Sequence, residues 1–314
     1  MLVQTIISKD ENISFLKKKY GSGVTDISIL GNGAWSHAYS FVYDSNKYVI
    51  RWSKFRENFD RDALASTYSH KDFPIPHILE IGKEFGKYYA ISQFVSGTYV
   101  ESLSATELEK TLPSLLSLFS AMQNVNLSQT VGYGSWNKYG KGANASWKEF
   151  LLDVKNDYEG TLIHGWKNNL INSSFDISLF DQLYEDLKIL ANKCTEDRFL
   201  IHSDLLNFNL LVKDNKVSAV LDWGSSKYGD CLYDLAWFVF YAPWFPQFQQ
   251  IQLCERLINY FKSSLKNVEN FDSRLLCCQL HIGIDSIAYN AYRKDWKAVQ
   301  KVAEYTLKIA RSGL

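Results

Sequence analysis

The chain has no surplus of either charge: 34 lysines and arginines stand against 34 aspartates and glutamates in 314 residues. Nucleic acids and anionic membranes select surfaces rich in Lys and Arg, so neither is an expected partner. Cysteine is scarce and odd in number. The five thiols (Cys194, Cys231, Cys254, Cys277 and Cys278) include an adjacent pair but no CxxC spacing and no histidine at zinc-ligand distance. That argues against a disulfide framework or a zinc module and fits reduced thiols in a cytoplasmic protein. Residues 1–10 lack the basic region, apolar core and small-residue cleavage site of a signal peptide, so export is not expected. The most apolar run, residues 231–246, is broken by Asp234 and Pro243 and falls short of the ~20 residues that span a bilayer. Repeats and low-complexity tracts are also missing, and the Ser/Thr/Asn-rich stretches at 124–146 and 167–178 read as loops rather than linkers.

What is present is a globular composition, 46% hydrophobic, on a chain longer than one core comfortably serves, so two lobes are expected. Residues 26–30, 37–43 and 47–52 are short β-branched or aromatic runs divided by Gly31-Asn32-Gly33 and Asp44-Ser45-Asn46, a pattern of hairpins. A helix follows over 57–70, closed by Pro74 and Pro76, and strands resume at 77–82 and 87–93. Residues 1–95 therefore form a small β, β, β, α, β, β lobe. From residue 96 to 314 the pattern is mostly helical, with Thr106 the expected N-cap of the first long helix and Glu109 its capping-box partner. Gln93 to Gly97 would be the hinge, and a nucleotide between the lobes would sit against it, at Gln93 and Val95.

The most specific stretch is Ile201-His202-Ser203-Asp204-Leu205-Leu206-Asn207-Phe208-Asn209, with a second acidic turn at Val220-Leu221-Asp222-Trp223-Gly224. A transferred phosphoryl group needs an oriented hydroxyl and metal-neutralised phosphates, with little covalent help. The spacing supplies both: Asp204 to accept the hydroxyl proton, Asn209 and Asp222 as oxygen ligands for Mg²⁺, and His202 to orient the loop. An HxD with a later Asn also arises as ordinary turn chemistry. Here, however, residues 199–201, 209–213 and 217–221 read as three short strands whose ends bring Asp204, Asn209 and Asp222 to one cleft.

These residues resemble those of the aminoglycoside phosphotransferases, relatives of the protein kinases, whose catalytic loop reads HxDxxxxN and whose metal turn reads I/L-D-W/F. Gly229-Asp230-Cys231-Leu232-Tyr233-Asp234-Leu235-Ala236 is similar to the family's GDxxxDLA helix. Pro74-Ile75-Pro76, Leu127-Ser128-Gln129-Thr130, Ser146 to Phe150, Ile282 to Asp285 and Arg311-Ser312-Gly313 look like stretches of the hygromycin B phosphotransferases within it. The resemblance implies an α+β, protein-kinase-like bilobal fold, a small antiparallel sheet lobe plus a larger, mostly helical lobe. It implies MgATP as donor, with GTP an alternative, and an aminoglycoside hydroxyl as acceptor, hygromycin B foremost. It also implies that Gly31, Gly33 and Ser36 cover phosphates, although on their own the glycines are more readily explained by a plain hairpin. Arg51 takes the place of the usual phosphate-gripping Lys, with Lys54 a fallback and Glu57, Asp60 or Asp62 as its acidic partner, Asp62 favoured.

For a polycationic acceptor the useful residues are acidic. Glu149, Asp153 and Asp157 fall at i, i+4 and i+8 of a helix expected from Trp147 onward, a carboxylate stripe that is either acceptor surface or a solvated face. Asp285 stands in an apolar helix and needs either a ligand ammonium or an internal donor. Asp230 and Asp234 begin a helix beside the catalytic loop, as N-cap and support or as acceptor contacts. Trp136, Trp166, Trp223 and Trp244 are candidate sugar-stacking rings, Trp244 foremost, in a chain whose aromatics are mostly core. A kinase for choline, a sugar, a macrolide or a metabolite would keep the same catalytic residues. A kinase-shaped module without catalysis would have lost one of them. The sequence leaves the oligomeric state open.

Overall fold

The structure, a computed structural model, describes residues 7–32 and 36–313. The chain opens with helix α1 (Lys9–Tyr20), where the Ser8 hydroxyl accepts from the Glu11 N–H and the Glu11 carboxylate accepts from the Ser8 N–H. This capping box was readable in the sequence, yet the helix is absent from the order expected above. Strands β1 (Thr25–Asn32), β2 (Ser36–Tyr43) and β3 (Asn46–Ser53) follow as a meander, then α2 (Arg56–Ser66), β4 (Ile78–Glu84) and β5 (Lys87–Gln93). The five strands form one antiparallel sheet in the order β1-β2-β3-β5-β4. Alternation along central β3 buries Ile50 and Trp52 against Phe15, Phe41 and Tyr89 and turns Arg51 to the opposite face. Its cross-strand neighbours there are Ala38 and Ala90, small enough to leave room for a guanidinium.

The remaining elements run β6 (Thr98–Tyr99), α3 (Ala105–Gln123), β7 (Tyr133–Trp136), β8 (Gly142–Asn144), α4 (Trp147–Asp153), α5 (Trp166–Ile171) and α6 (Ile177–Ala191). Then come β9 (Phe199–Ile201), β10 (Leu210–Lys213), β11 (Lys216–Val220), β12 (Lys227–Gly229), α7 (Leu232–Tyr241), α8 (Pro246–Gln250), α9 (Leu253–Ser264), α10 (Phe271–Arg293) and α11 (Trp296–Gly313). The N-cap of α3 lies two residues before the expected one: Ser104 accepts from Glu107 N–H and Glu107 reciprocates, while Glu109 pairs with Arg256 on α9. Helix α10 is apolar on most of its circumference because α5, α6, α7 and α11 all pack on it, which makes it the axis of the larger core.

Two short sheets shape the cleft. Strand β6, just after the hinge, adds to the β10–β11 hairpin in the order β11-β10-β6. Gly97 permits that approach, since a Cβ there would come within 2.8–3.0 Å of Ser218 Oγ, Leu211 Cβ and Val212 O. Strand β12 lies between β7 and β9, and Gly229 lets it rest on the Trp147 indole where any side chain would collide. All five cysteines are free thiols. Among the described residues, no helix is long and apolar enough to cross a membrane.

Candidate active site

Beyond β9 the chain turns sharply, with Ser203 in the left-handed region at φ +62°. A bulky or polar residue stays there only when its surroundings hold it, and here the holder is Asp234. Its buried carboxylate accepts the N–H of His202 at 2.9 Å and of Ser203 at 2.7 Å. Burial pushes the Asp234 carboxyl up to about 7 against those two donors. The His202 ring is buried too, which takes it down to about 4, so it is neutral at physiological pH. One tautomer satisfies its neighbours: Nε2–H donates to Leu221 O at 2.7 Å and Nδ1 accepts the Asp204 N–H at 3.2 Å. Asn209 then closes the loop, its amide nitrogen 2.7 Å from Asp204 O and 3.4 Å from Asp204 Oδ2. The Leu221 N–H donates to Asn209 O at 2.8 Å, stitching the loop to the turn that carries Asp222.

The sheet lobe reaches the same turn. Arg51 forms an ion pair with Asp62 on α2, and the second oxygen of Asp62 accepts the Trp223 N–H at 2.8 Å. Arg51 Nη1 lies 3.9 Å from Asp222 Oδ1. Of the other candidate partners, Asp60 is taken by Arg56 at 3.2 Å and Glu57 is exposed. Arg61, unremarked in the sequence, donates to Trp136 O at 2.7 Å and to Gly224 O, because a helix presents adjacent residues to different targets. Gly31 is in β1 opposite Ala38 and Ser36 begins β2 opposite Ser53. Gly33 lies outside the described residues. Gln93 ends β5 exposed, and Val95 is half-buried in the hinge.

Electrostatically the cleft is tuned around Asp204. Burial, then the Asp222 charge, push its carboxyl up to about 7, while an Asn207 hydrogen bond and the Lys227 charge pull the other way. Lys227 was also missed, since only the pairing of β12 beside β9 brings it across the loop. Its ammonium donates to Ser203 Oγ at 2.7 Å and Ser225 O at 2.9 Å, and burial lowers it to about 8. Asp285 is exposed at its surface although protein surrounds it closely enough for desolvation to act. Burial raises its carboxyl and Lys227 opposes this; among the described residues it has no hydrogen bond or ion pair.

Several expected acceptor contacts do not assemble. Helix α4 ends at Asp153, so there is no three-carboxylate stripe. Asp157 instead accepts from Gly165 N–H at 2.9 Å and Lys167 N–H at 3.0 Å, capping α5. Glu149 accepts the Ala145 N–H at 2.7 Å, and Asp153 is bonded to Asn156 and Tyr158, both at 2.7 Å. Asp230 is buried in a two-pronged ion pair with Arg274, at 2.7 and 2.9 Å, and accepts the Leu232 N–H, so it supports α7 and does not face the cleft. Asp234 is likewise consumed by the loop. Trp136, Trp166 and Trp223 are core, and Trp244 is partly exposed but packs edge-on against Tyr305.

A divalent metal fits what is left over. Asn209 spends its amide nitrogen on Asp204, and among the described residues nothing donates to its oxygen. Asp222, held at φ +57°, keeps a half-exposed carboxylate beside it. Two hard oxygen donors, with phosphates and water completing the shell, suit Mg²⁺.

Residues 26–264, most of the chain, match the model of the phosphotransferase enzyme family. The chain belongs to that family. It is 28% identical over 276 residues to hygromycin-B 4-O-kinase of Escherichia coli, covering 87% of this chain and 76% of that protein. The crystal structure of aminoglycoside phosphotransferase APH(4)-Ia matches with a TM-score of 0.85 at 26% identity, covering 98% of this chain and 100% of that one. A thermostable mutant of the same enzyme, in ternary complex with AMP-PNP and hygromycin B, matches at 0.83 and 27%, covering 96% and 98%. The fold of this phosphotransferase is therefore the kinase-like one implied by its motifs, a sheet lobe joined to a larger helical region.

Proposed function

We propose that this phosphotransferase moves the γ-phosphoryl group of MgATP to a hydroxyl of an aminoglycoside, hygromycin B in the first instance, in the cytoplasm, and so confers resistance. The observation that carries the reading is the convergence of Asp204, Asn209, Asp222 and Arg51 on two stitched turns, within a fold that follows APH(4)-Ia along almost its whole length.

The nucleotide would lie between the sheet and the β10–β11 hairpin, its base at the hinge and its phosphates toward Arg51, whose planar guanidinium can bind two phosphate oxygens while Asp62 fixes its direction. Asn209 and Asp222 would hold Mg²⁺, which when bound neutralises the phosphate charge. Asp204 accepts the hydroxyl proton as the oxygen attacks in line, and a carboxyl poised near 7 suits that transfer better than an ordinary one. His202 and Asp234 keep the loop in register and never meet the reactants. Asp285, an exposed carboxylate with no hydrogen bond or ion pair among the described residues, would receive an ammonium of the acceptor.

The test is product mass from a panel of aminoglycosides incubated with MgATP and the enzyme. A single added phosphate on hygromycin B supports the reading; no phosphorylated product from any member of the panel rejects it.

A further inference from the structure

Phe208, between the two asparagines that address Asp204, is held in a conformation its side chain does not favour. Its φ is +59°, in the left-handed region, and its ring is 57% exposed, so the loop gains little packing in return. What holds it is Glu101, which accepts the Phe208 N–H at 2.7 Å from beneath the loop. That carboxylate is buried, its second oxygen has no partner among the described residues, and Gln247 fixes its backbone carbonyl at 2.8 Å. Strain, an exposed ring and a half-satisfied buried carboxylate all act against stability, and all three serve to present one aromatic face.

The ring is not alone. Tyr99, 37% exposed, meets it edge-on with centroids 5.4 Å apart and planes at 79°. Tyr99 is pinned in turn, because β6 pairs with β10 through Leu211. The two rings form a rigid corner between the strand that follows the hinge and the loop that carries Asp204 and Asn209. Both partners of the proposed reaction carry sugar rings, whose CH faces pack on aromatic rings as their hydroxyls cannot.

We propose that Phe208 and Tyr99 form a stacking subsite for the CH face of a sugar ring, and that the loop is strained in order to present it. The inference rests on the function proposed above, and the ring is either that of the acceptor or the ribose of the nucleotide.

The decisive variant is Phe208→Asn, because asparagine tolerates left-handed φ and so relieves the loop while removing the ring. Its melting temperature should equal or exceed that of the wild type. Calorimetric affinities for hygromycin B and for a non-hydrolysable ATP analogue, measured separately, should show one of the two weakened about tenfold, the scale of a lost aromatic contact. Phe208→Trp should restore it to within about threefold, as a purely structural role for this position would not require. Weakened hygromycin B assigns the ring to the acceptor; weakened analogue assigns it to ribose. A folded Phe208→Asn in which neither affinity weakens overturns the subsite. Failure of the proposed function is separable, since the wild type would then form no phosphorylated product while the nucleotide titration still reads the corner.

Discussion

Acidification should silence this enzyme close to neutrality. An ordinary aspartate is almost wholly ionised at pH 6, whereas Asp204, raised to about 7 by burial and by the Asp222 charge, is not. The active form of a general base is the ionised one, and its folded pKa is raised, so activity is lost as pH falls through about 7. With a single titration there, about half the activity remains at pH 7, roughly a tenth at pH 6 and roughly a hundredth at pH 5. The assay is kcat/KM against pH from 5 to 9 in a buffer of constant ionic strength, with folding checked at each end. A metal on Asp222 would cancel much of the charge that holds Asp204 up, so the midpoint for kcat, read in the loaded enzyme, should lie below that for kcat/KM of ATP, read in the free one. Asp204→Ala should cost about 10²- to 10⁴-fold in turnover, with nucleotide affinity retained. A rate that stays flat from pH 8 to pH 5.5, or an alanine variant within a few-fold of wild type, refutes Asp204 as the base.

Three further outcomes follow from the same geometry. Lys227→Met removes a charge that favours ionised Asp204, so the acid limb of the pH profile should move to higher pH; an unmoved limb would show that the ammonium serves only to brace Ser203 and Ser225. Asp285→Asn should weaken hygromycin B by about tenfold with the KM for ATP unchanged, and should flatten the salt dependence of acceptor binding. Arg274→Met leaves the Asp230 carboxylate buried without its counter-ion and should destabilise the fold by about 3–5 kcal/mol. At ~2.1 cal/mol/K of unfolding entropy per residue, that is a fall of roughly 5–8 °C in a thermal melt of this chain.

How much of this could be read from the sequence depends on how local each cause is. The placing of Asp204, Asn209 and Asp222 on adjoining turns was legible because HxDxxxxN and the aspartate turn are fixed by a few consecutive residues and the strands beside them. Arg51 was legible because strand alternation turns it away from the core that Ile50 and Trp52 enter, and Asp62 because it sits on the adjacent helix. The acidic stripe failed for a tertiary reason: α4 stops at Asp153, and Asp157 is spent on the N–H groups of Gly165 and Lys167. Asp230 and Asp234 looked like site residues and are scaffolding, since the sequence conceals that Arg274, 44 positions away, and the loop backbone consume them. Lys227 and Arg61 were invisible because their partners are backbone carbonyls and a hydroxyl brought near only by folding, and such partners leave no pattern. Helix α1, by contrast, carries a readable cap at Ser8 and Glu11, but its body is too polar to show a periodic face.

The adjacent residues Arg61 and Asp62 fasten α2 to Trp136, Trp223 and Gly224. Two of these bonds join the helix directly to the turn that carries Asp222, and the Arg51–Asp62 ion pair extends the connection to β3. The spacing between Arg51 and Asp222 is thus set through Asp62, which holds the guanidinium with one oxygen and the Trp223 N–H with the other. On the proposed function, substitutions around Asp285, which takes part in none of these bonds, would change the acceptor and leave that spacing alone.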